Sequence, residues 1–206
     1  TNEFNLIQLS KYSFDYYGFI FYPNSPRYLM KNKNTDFVKL HKNKVAVFVN
    51  EEVDKVIDIS SNYNFKYIQL HGEESVDYCE VLRRKNLKVI KTFHIKGKDD
   101  FKKLNMYTNN IDFALFDYNS INYGGSGKKF DWKILNEIDI KIPFFLSGGI
   151  SLDNIDELNF LNNNSNLYGI DINSKFEEYP GYKDLKIIKK LLYYVAGLKP
   201  KYLLIK

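Results

Sequence analysis

The sequence has one cysteine, Cys79, and so has no internal disulfide framework. Its three histidines and that cysteine show no zinc-ligand spacing, and no metal is expected. No apolar run reaches the ~18 residues a membrane-crossing helix needs. The opening residues lack a secretion-signal pattern. These absences set the expectation of a cytoplasmic protein with no membrane partner. No Gly-x-Gly-x-x-Gly follows the first apolar run, so a dinucleotide site is poorly supported. The net charge is +5, but the lysines are scattered and sit beside acids, as in "KGKDDFKK". Without a stripe of arginines and exposed aromatics, nucleic acid is not an expected partner. The charge reads as a solvated surface with a preference for anionic ligands.

What is present is a repeating pattern. With 206 residues, 44% of them hydrophobic, the chain can bury a sizeable core. No linker or low-complexity segment divides it, so a single domain over 1–206 is expected. "YYGFIF" (16–21), "KVAVFV" (44–49), "FKYIQL" (65–70), "LKVIKTF" (87–93), "IDFALF" (111–116), "PFFLS" (143–147) and "LYGIDI" (167–172) read as strands covered on both faces. Amphipathic stretches lie between them. "EEVDKVIDISSNY" puts Val53, Val56, Ile57 and Ser60 on one face, and "SVDYCEVLRRK" does the same with Val76, Cys79 and Leu82. "SLDNIDELNFL" and "KDLKIIKKLLYYV" repeat the scheme, and the chain opens on a helix pattern, "NEFNLIQLSKY". Alternating strand and helix means a parallel sheet with right-handed crossovers. An open doubly wound sheet and a (β/α)8 barrel both fit, although a barrel needs an eighth strand.

Active sites of such barrels lie at the C-terminal ends of the strands. After Phe21, two prolines stiffen "YPNSPRY" and Arg27 projects from it. A guanidinium fork binds a carboxylate with two parallel bonds, and a structural acid is the plainer partner. His71 follows Leu70, as a structural hydrogen-bonder or a catalyst. Asp117 follows Phe116, a good place for an acid or base, with helix capping as the alternative. Gly124 and Gly125 begin "GGSG", a loop able to fold over a ligand. Ser147-Gly148-Gly149 precede Ser151-Leu152-Asp153, which reads as a helix start. Bare backbone at a helix N-terminus suits phosphate. Asn173 and Ser174 follow the last run, and loops after strands seven and eight are the usual phosphate site of these barrels.

"GFIFYPNSPRY", "KVAVFVNEE", "IQLHGEE", "VIKTF", "YGGSGKKFDW", "LSGGI" and "GIDINSKFE…PGYKD" together resemble the phosphoribosylanthranilate isomerase family of tryptophan biosynthesis, in order and spacing across nearly all of the chain. The resemblance implies a (β/α)8 barrel and a cofactor-free Amadori rearrangement of N-(5-phosphoribosyl)anthranilate. It implies Asp117 as the general acid on the furanose ring oxygen and Arg27 as the holder of the anthranilate carboxylate. It places Gly148, Gly149, Asn173 and Ser174 at the phosphate, and His71, Gly124, Gly125 and Asp171 along the site. The expected partner is a small phosphoribosyl substrate, and the expected state is monomer or homodimer.

The sequence also departs from the family. The family's first strand carries Lys-Ile-Cys-Gly, whose cysteine is the general base, and that motif is absent here. Cys79 falls mid-helix and reads as a small core residue. Lys175-Phe176 replaces Gly-Val, and Tyr118 stands where a smaller residue is usual. Two alternatives therefore accompany the isomerase: an impaired ribose-phosphate-binding barrel without the base, and another phosphosugar barrel enzyme. The missing first strand has a candidate replacement. In "GLKPKYLLIK", Gly197 and Pro200 stop the last helix and Tyr202–Ile205 reads as a strand. It is expected in the first-strand slot of the same molecule or a neighbour, parallel to 16–21 and 167–172, with a frayed tail or a helix extension as the alternative; the resemblance makes Lys206 the motif's lysine.

Overall fold

The computed structural model describes residues 2–118, 129–196 and 202–206. Helix α1 (Glu3–Leu9) precedes strand β1 (Tyr16–Ile20). Then follow β2 (Lys44–Phe48), α2 (Val53–Tyr63), β3 (Tyr67–Leu70), α3 (Val76–Arg84), β4 (Lys88–Ile95), the short α4 (Leu104–Tyr107), β5 (Phe113–Tyr118), β6 (Phe144–Leu146) and β7 (Leu167–Ile172). A small hairpin, β8 (Glu177–Tyr179) and β9 (Tyr182–Lys183), leads into α5 (Leu185–Val195), and β10 (Tyr202–Ile205) ends the chain.

Eight parallel strands close into a barrel in the order β1-β10-β7-β6-β5-β4-β3-β2. The expected replacement strand is in place. Tyr16 and Tyr17 pair with Leu204 and Ile205 on one side of β10. On its other side Tyr202 to Ile205 pair with Gly169 to Ile172. Asp15 fixes the entry of this strand, its carboxylate accepting the Leu203 N–H at 2.8 Å and its own N–H donating to the Leu203 carbonyl at 3.1 Å.

Strand periodicity divides the apolar side chains between two layers. Tyr16, Val45, Ile90, Leu115, Phe145 and Leu204 fill the barrel interior. Leu203 and Ile205 point the other way, into the larger core under the helices. The helices begin where side chains satisfy their first N–H groups. Asn2 caps α1, Ser75 caps α3, and Asp184 accepts from Lys186 and Ile187 at the start of α5. Val56 and Ser60 of α2, and Cys79 and Leu82 of α3, are the buried positions.

One sequence expectation needs correction. "SLDNIDELNFL" does not begin a helix at Ser151; a turn comes first, and Ile155–Asn163 is a 3₁₀ helix. Asn154 explains the delay. Its side chain accepts the Ser151 N–H and donates to the Gly149 carbonyl, both at 2.9 Å. Such bonds offer the backbone an alternative to the helix, and Asn and Asp are weak helix formers.

Leu204 tests the closure. It is fully buried in the interior layer. Leu204→Ala is expected to cost about 2–5 kcal/mol in urea unfolding, as for other buried leucines. A loss well under 1 kcal/mol would mean that β10 is a loosely docked tail.

Candidate active site

The C-terminal ends of the strands gather most of the sequence candidates. Asp117 is the fifth residue of β5, which runs one residue beyond it instead of stopping at Phe116. Its Oδ1 accepts the Tyr118 N–H at 2.8 Å, and its Oδ2 lies 3.7 Å from Nε2 of His71. Burial pushes the Asp117 carboxyl above its ordinary value, and the charge of Asp171 adds to the rise. Lys206, His94 and the Tyr118 N–H oppose the rise without reversing it.

His71 is held in the opposite sense. Burial, then the positive charges of Lys206, His94 and Lys91, keep its pKa well below the usual imidazole range, so the ring is neutral. Its Nδ1 lies 3.0 Å from the Gln69 amide nitrogen and 3.1 Å from the Thr92 hydroxyl. His94 crosses it edge-on at 5.1 Å, with Nε2 3.0 Å from the His71 carbonyl. The potential ligand atoms of His71, His94 and Asp117 lie within 4.8 Å of one another, which gives a divalent metal three donors here.

Asp171 is the last residue but one of β7 and is buried. Its Oδ2 accepts from Ser147 Oγ at 2.9 Å and from Lys206 Nζ at 2.5 Å. Among the described residues its Oδ1 has no hydrogen-bond partner. Lys206, just beyond β10, is therefore the counter-ion that makes a second buried carboxylate tolerable beside Asp117.

Gly148 and Gly149 both have positive φ, +86° and +70°. A β-carbon on Gly148 would stand 2.8 Å from Asp117 Oδ1 and 2.7 Å from the Tyr118 nitrogen. The glycine is thus required for β6 to pass the Asp117 carboxylate, a role the sequence pattern did not reveal. Neither glycine N–H donates to a backbone carbonyl among the described residues, which leaves both for an anion. Asn173 and Ser174 follow β7 and lead into a short 3₁₀ turn, Ser174–Phe176.

Arg27 makes the bond that the plainer reading foresaw. Its Nε and Nη2 grip the Glu177 carboxylate, with Nε 3.0 Å from both oxygens and Nη2 2.5 Å from Oε2. Lys183 Nζ shares Glu177 Oε1 at 2.9 Å and reaches Asn173 Oδ1 at 2.8 Å. Burial would raise the Glu177 carboxyl, but Arg27 and Lys183 outweigh it and hold the group below its usual range. Burial lowers the Lys183 amine to about 8, even against the pull of Glu177.

Gly124 and Gly125 lie outside the described residues. Cys79 is buried in α3, its thiol pushed up to about 12 by burial, and takes no part in this cluster. Sequence reasoning missed His94, Glu177 and Lys183. His94 sits where β4 runs past the apolar run "VIKTF". Glu177 and Lys183 lie within the motif "GIDINSKFE…PGYKD", but no role was read for either.

A closed parallel barrel with a buried carboxyl of raised pKa and a bare glycine turn at its C-terminal mouth defines the class: a (β/α)8 enzyme. The model of the N-(5'-phosphoribosyl)anthranilate isomerase family matches residues 2–193, and the chain belongs to that family. The N-(5'-phosphoribosyl)anthranilate isomerase of Parabacteroides distasonis is 38% identical over 193 residues, covering 91% of this chain and 86% of the relative. That of Petrotoga mobilis is 35% identical, covering 98% and 96%. The crystal structure of the Thermotoga maritima phosphoribosyl anthranilate isomerase aligns with a TM-score of 0.81 at 30% identity, covering 96% of each chain. A further phosphoribosyl anthranilate isomerase structure, in complex with reduced 1-(o-carboxyphenylamino)-1-deoxyribulose 5-phosphate, aligns at 0.78 with 28% identity, covering 96% of this chain and 95% of that one. One Thermotoga maritima structure is of monomers generated from a dimeric enzyme, aligning at 0.78 with 26% identity over 96% of this chain and 95% of that one. No described helix is long and apolar enough to cross a membrane.

Gly148→Ala tests the packing at the mouth. Positive φ and the contacts with Asp117 and Tyr118 should together cost about 1–3 kcal/mol in denaturant unfolding. An unchanged midpoint would show that the turn after β6 has room to spare.

Proposed function

We propose that this chain isomerises N-(5'-phosphoribosyl)anthranilate to 1-(2-carboxyphenylamino)-1-deoxyribulose 5-phosphate, with Asp117 as the general acid. The observation that carries this reading is the state of Asp117: a buried carboxyl, raised in pKa, at the mouth of a barrel of this family. An ordinary aspartate has given up its proton at neutral pH, and a raised pKa makes the protonated form more accessible to the substrate.

The nitrogen lone pair pushes into C1′, the bond from C1′ to the ring oxygen breaks, and that oxygen takes the Asp117 proton. The product of this step is the open-chain Schiff base. Transfer of the C2′ proton to a base gives an enolamine; a proton gained at C1′ and the enol O–H proton given up then yield the ketone. Cys79 is not the group that takes the C2′ proton, since it is buried in α3 with a strongly raised thiol. Gly148 and Gly149, with Asn173 and Ser174, hold the phosphate through backbone N–H groups and short polar side chains. Asp171 Oδ1 is a free acceptor for a sugar hydroxyl. Arg27 takes the anthranilate carboxylate. The isomerase is favoured over an impaired binder because the matched relatives carry the isomerase name across most of the chain.

Asp117→Asn is expected to abolish turnover and leave binding of a product analogue intact, because an amide keeps the shape but is a far weaker acid. Disappearance of the substrate's anthranilate fluorescence reads the rate. The acid must be protonated to act, so the wild-type rate should hold at low pH and fall as pH climbs past the raised Asp117 value. Near-normal turnover of the mutant, or a wild-type profile with no such falling limb, would remove Asp117 from this role.

Arg27→Ala should weaken ligands that carry the carboxylate by about 1.5–3 kcal/mol, the worth of a charge-assisted pair. A product analogue without the carboxylate should bind as before. Equal weakening of both ligands in a titration would make Arg27 purely structural.

A further inference from the structure

The Arg27 guanidinium has two edges that can each receive a carboxylate: Nε with Nη2, and Nη1 with Nη2. Glu177 occupies the first, touching Nε with both oxygens and Nη2 with one. The hydrogen bonds among the described residues leave Nη1 unengaged. Glu177 is itself held from the other side, because its Oε1 accepts the Gly181 N–H at 3.0 Å and Lys183 Nζ at 2.9 Å. Lys183 in turn donates to the Asn173 carbonyl at 3.2 Å and to Asn173 Oδ1 at 2.8 Å. The side chains of Glu177 and Lys183 are almost wholly buried, at 2% and 4% exposure, and Arg27 stays slightly open at 11%. The sequence pattern gave no reason for a fixed acid at this point.

We propose that Glu177 is a positioning residue for substrate recognition. It grips the Nε edge of Arg27 and so presents the Nη1 edge to the substrate's carboxylate, and Lys183 ties that grip to Asn173 at the phosphate loop. A free arginine must freeze several side-chain torsions before it can form a two-pronged bond, and a partner that freezes them beforehand removes that cost on binding. The network also sets the span between the two anionic ends of the ligand, since Arg27 and Asn173 are joined through only two side chains. This assignment rests on the proposed isomerase activity. It names a residue that does not touch substrate and acts through one that does.

The test compares the reduced product analogue with its counterpart lacking the ring carboxylate, by calorimetric titration. In wild type the carboxylate ligand should bind more tightly. Glu177→Gln should weaken that ligand about tenfold and leave the carboxylate-free one within about twofold, with KM raised and kcat nearly unchanged. Equal weakening of both ligands, or no change in either, would overturn the proposal. Because Glu177→Gln leaves Arg27 and Lys183 without their anion and can disturb folding, Arg27→Lys supplies a second arm. Lysine keeps the ion pair with Glu177 but has no second edge. It should retain the wild-type melting temperature and lose most of the preference for the carboxylate ligand; a preserved preference would overturn the two-edge arrangement. Wild-type turnover of N-(5'-phosphoribosyl)anthranilate separates the two levels. Its absence would refute the activity, whereas its presence with an unaffected Glu177→Gln enzyme would refute only the role of Glu177.

Discussion

Closure of the barrel is the constraint on which everything else rests. Seven parallel strands with an open slot would leave two edges of unpaired backbone N–H and C=O groups. Tyr202–Ile205 removes both edges at once by pairing with β1 and β7. Its alternation supplies Leu204 to the interior layer and Leu203 and Ile205 to the outer core. The same strand then delivers Lys206 to the mouth, where it meets Asp171. Backbone pairing, core packing and site electrostatics thus depend on one four-residue segment.

The mouth is a problem in placing charge out of water. Two aspartates, two histidines and a lysine lie close enough for their fields to overlap. Asp171 is compensated by Lys206 and by the Ser147 hydroxyl. Among the described residues Asp117 has only the Tyr118 N–H within hydrogen-bond distance, and burial raises its pKa. Two similar carboxyls thus stand in different surroundings, the kind of difference that can separate their roles. A second buried network, Arg27–Glu177–Lys183–Asn173, ties the loop after β1 to the segment after β7.

Much of this was legible in the sequence because the relevant signals are local. Continuous apolar runs gave the strands, with "LYGIDI" matching β7 to the residue. The pattern "YLLIK" after Gly197 and Pro200 located β10 because the helix-stopping residues, the open slot in the barrel and the family resemblance pointed to the same place. Asp117 and the glycine pair were found from their positions after strands, and Asp171 from the family resemblance. What was not legible was partnership between distant residues. Glu177 and Arg27 are 150 positions apart, and nothing in either local stretch announces the pair. The contact between Gly148 and Asp117 is of the same kind, set by the packing of β5 against β6. The delayed helix after Gly149 had a local cause, since Asn154 folds back on Ser151 and Gly149, but apolar spacing outweighed it in the reading.

The most direct measurement is a crystal structure of the chain with the reduced product analogue bound. The account places the phosphate against the N–H groups of Gly148 and Gly149, near Asn173 and Ser174. It places the hydroxyl that derives from the furanose ring oxygen within hydrogen-bond distance of Asp117, and the ring carboxylate on the Nη1 side of Arg27. A ligand bound at the N-terminal ends of the strands, or with its phosphate away from the glycine pair and that hydroxyl beyond reach of Asp117, would contradict it.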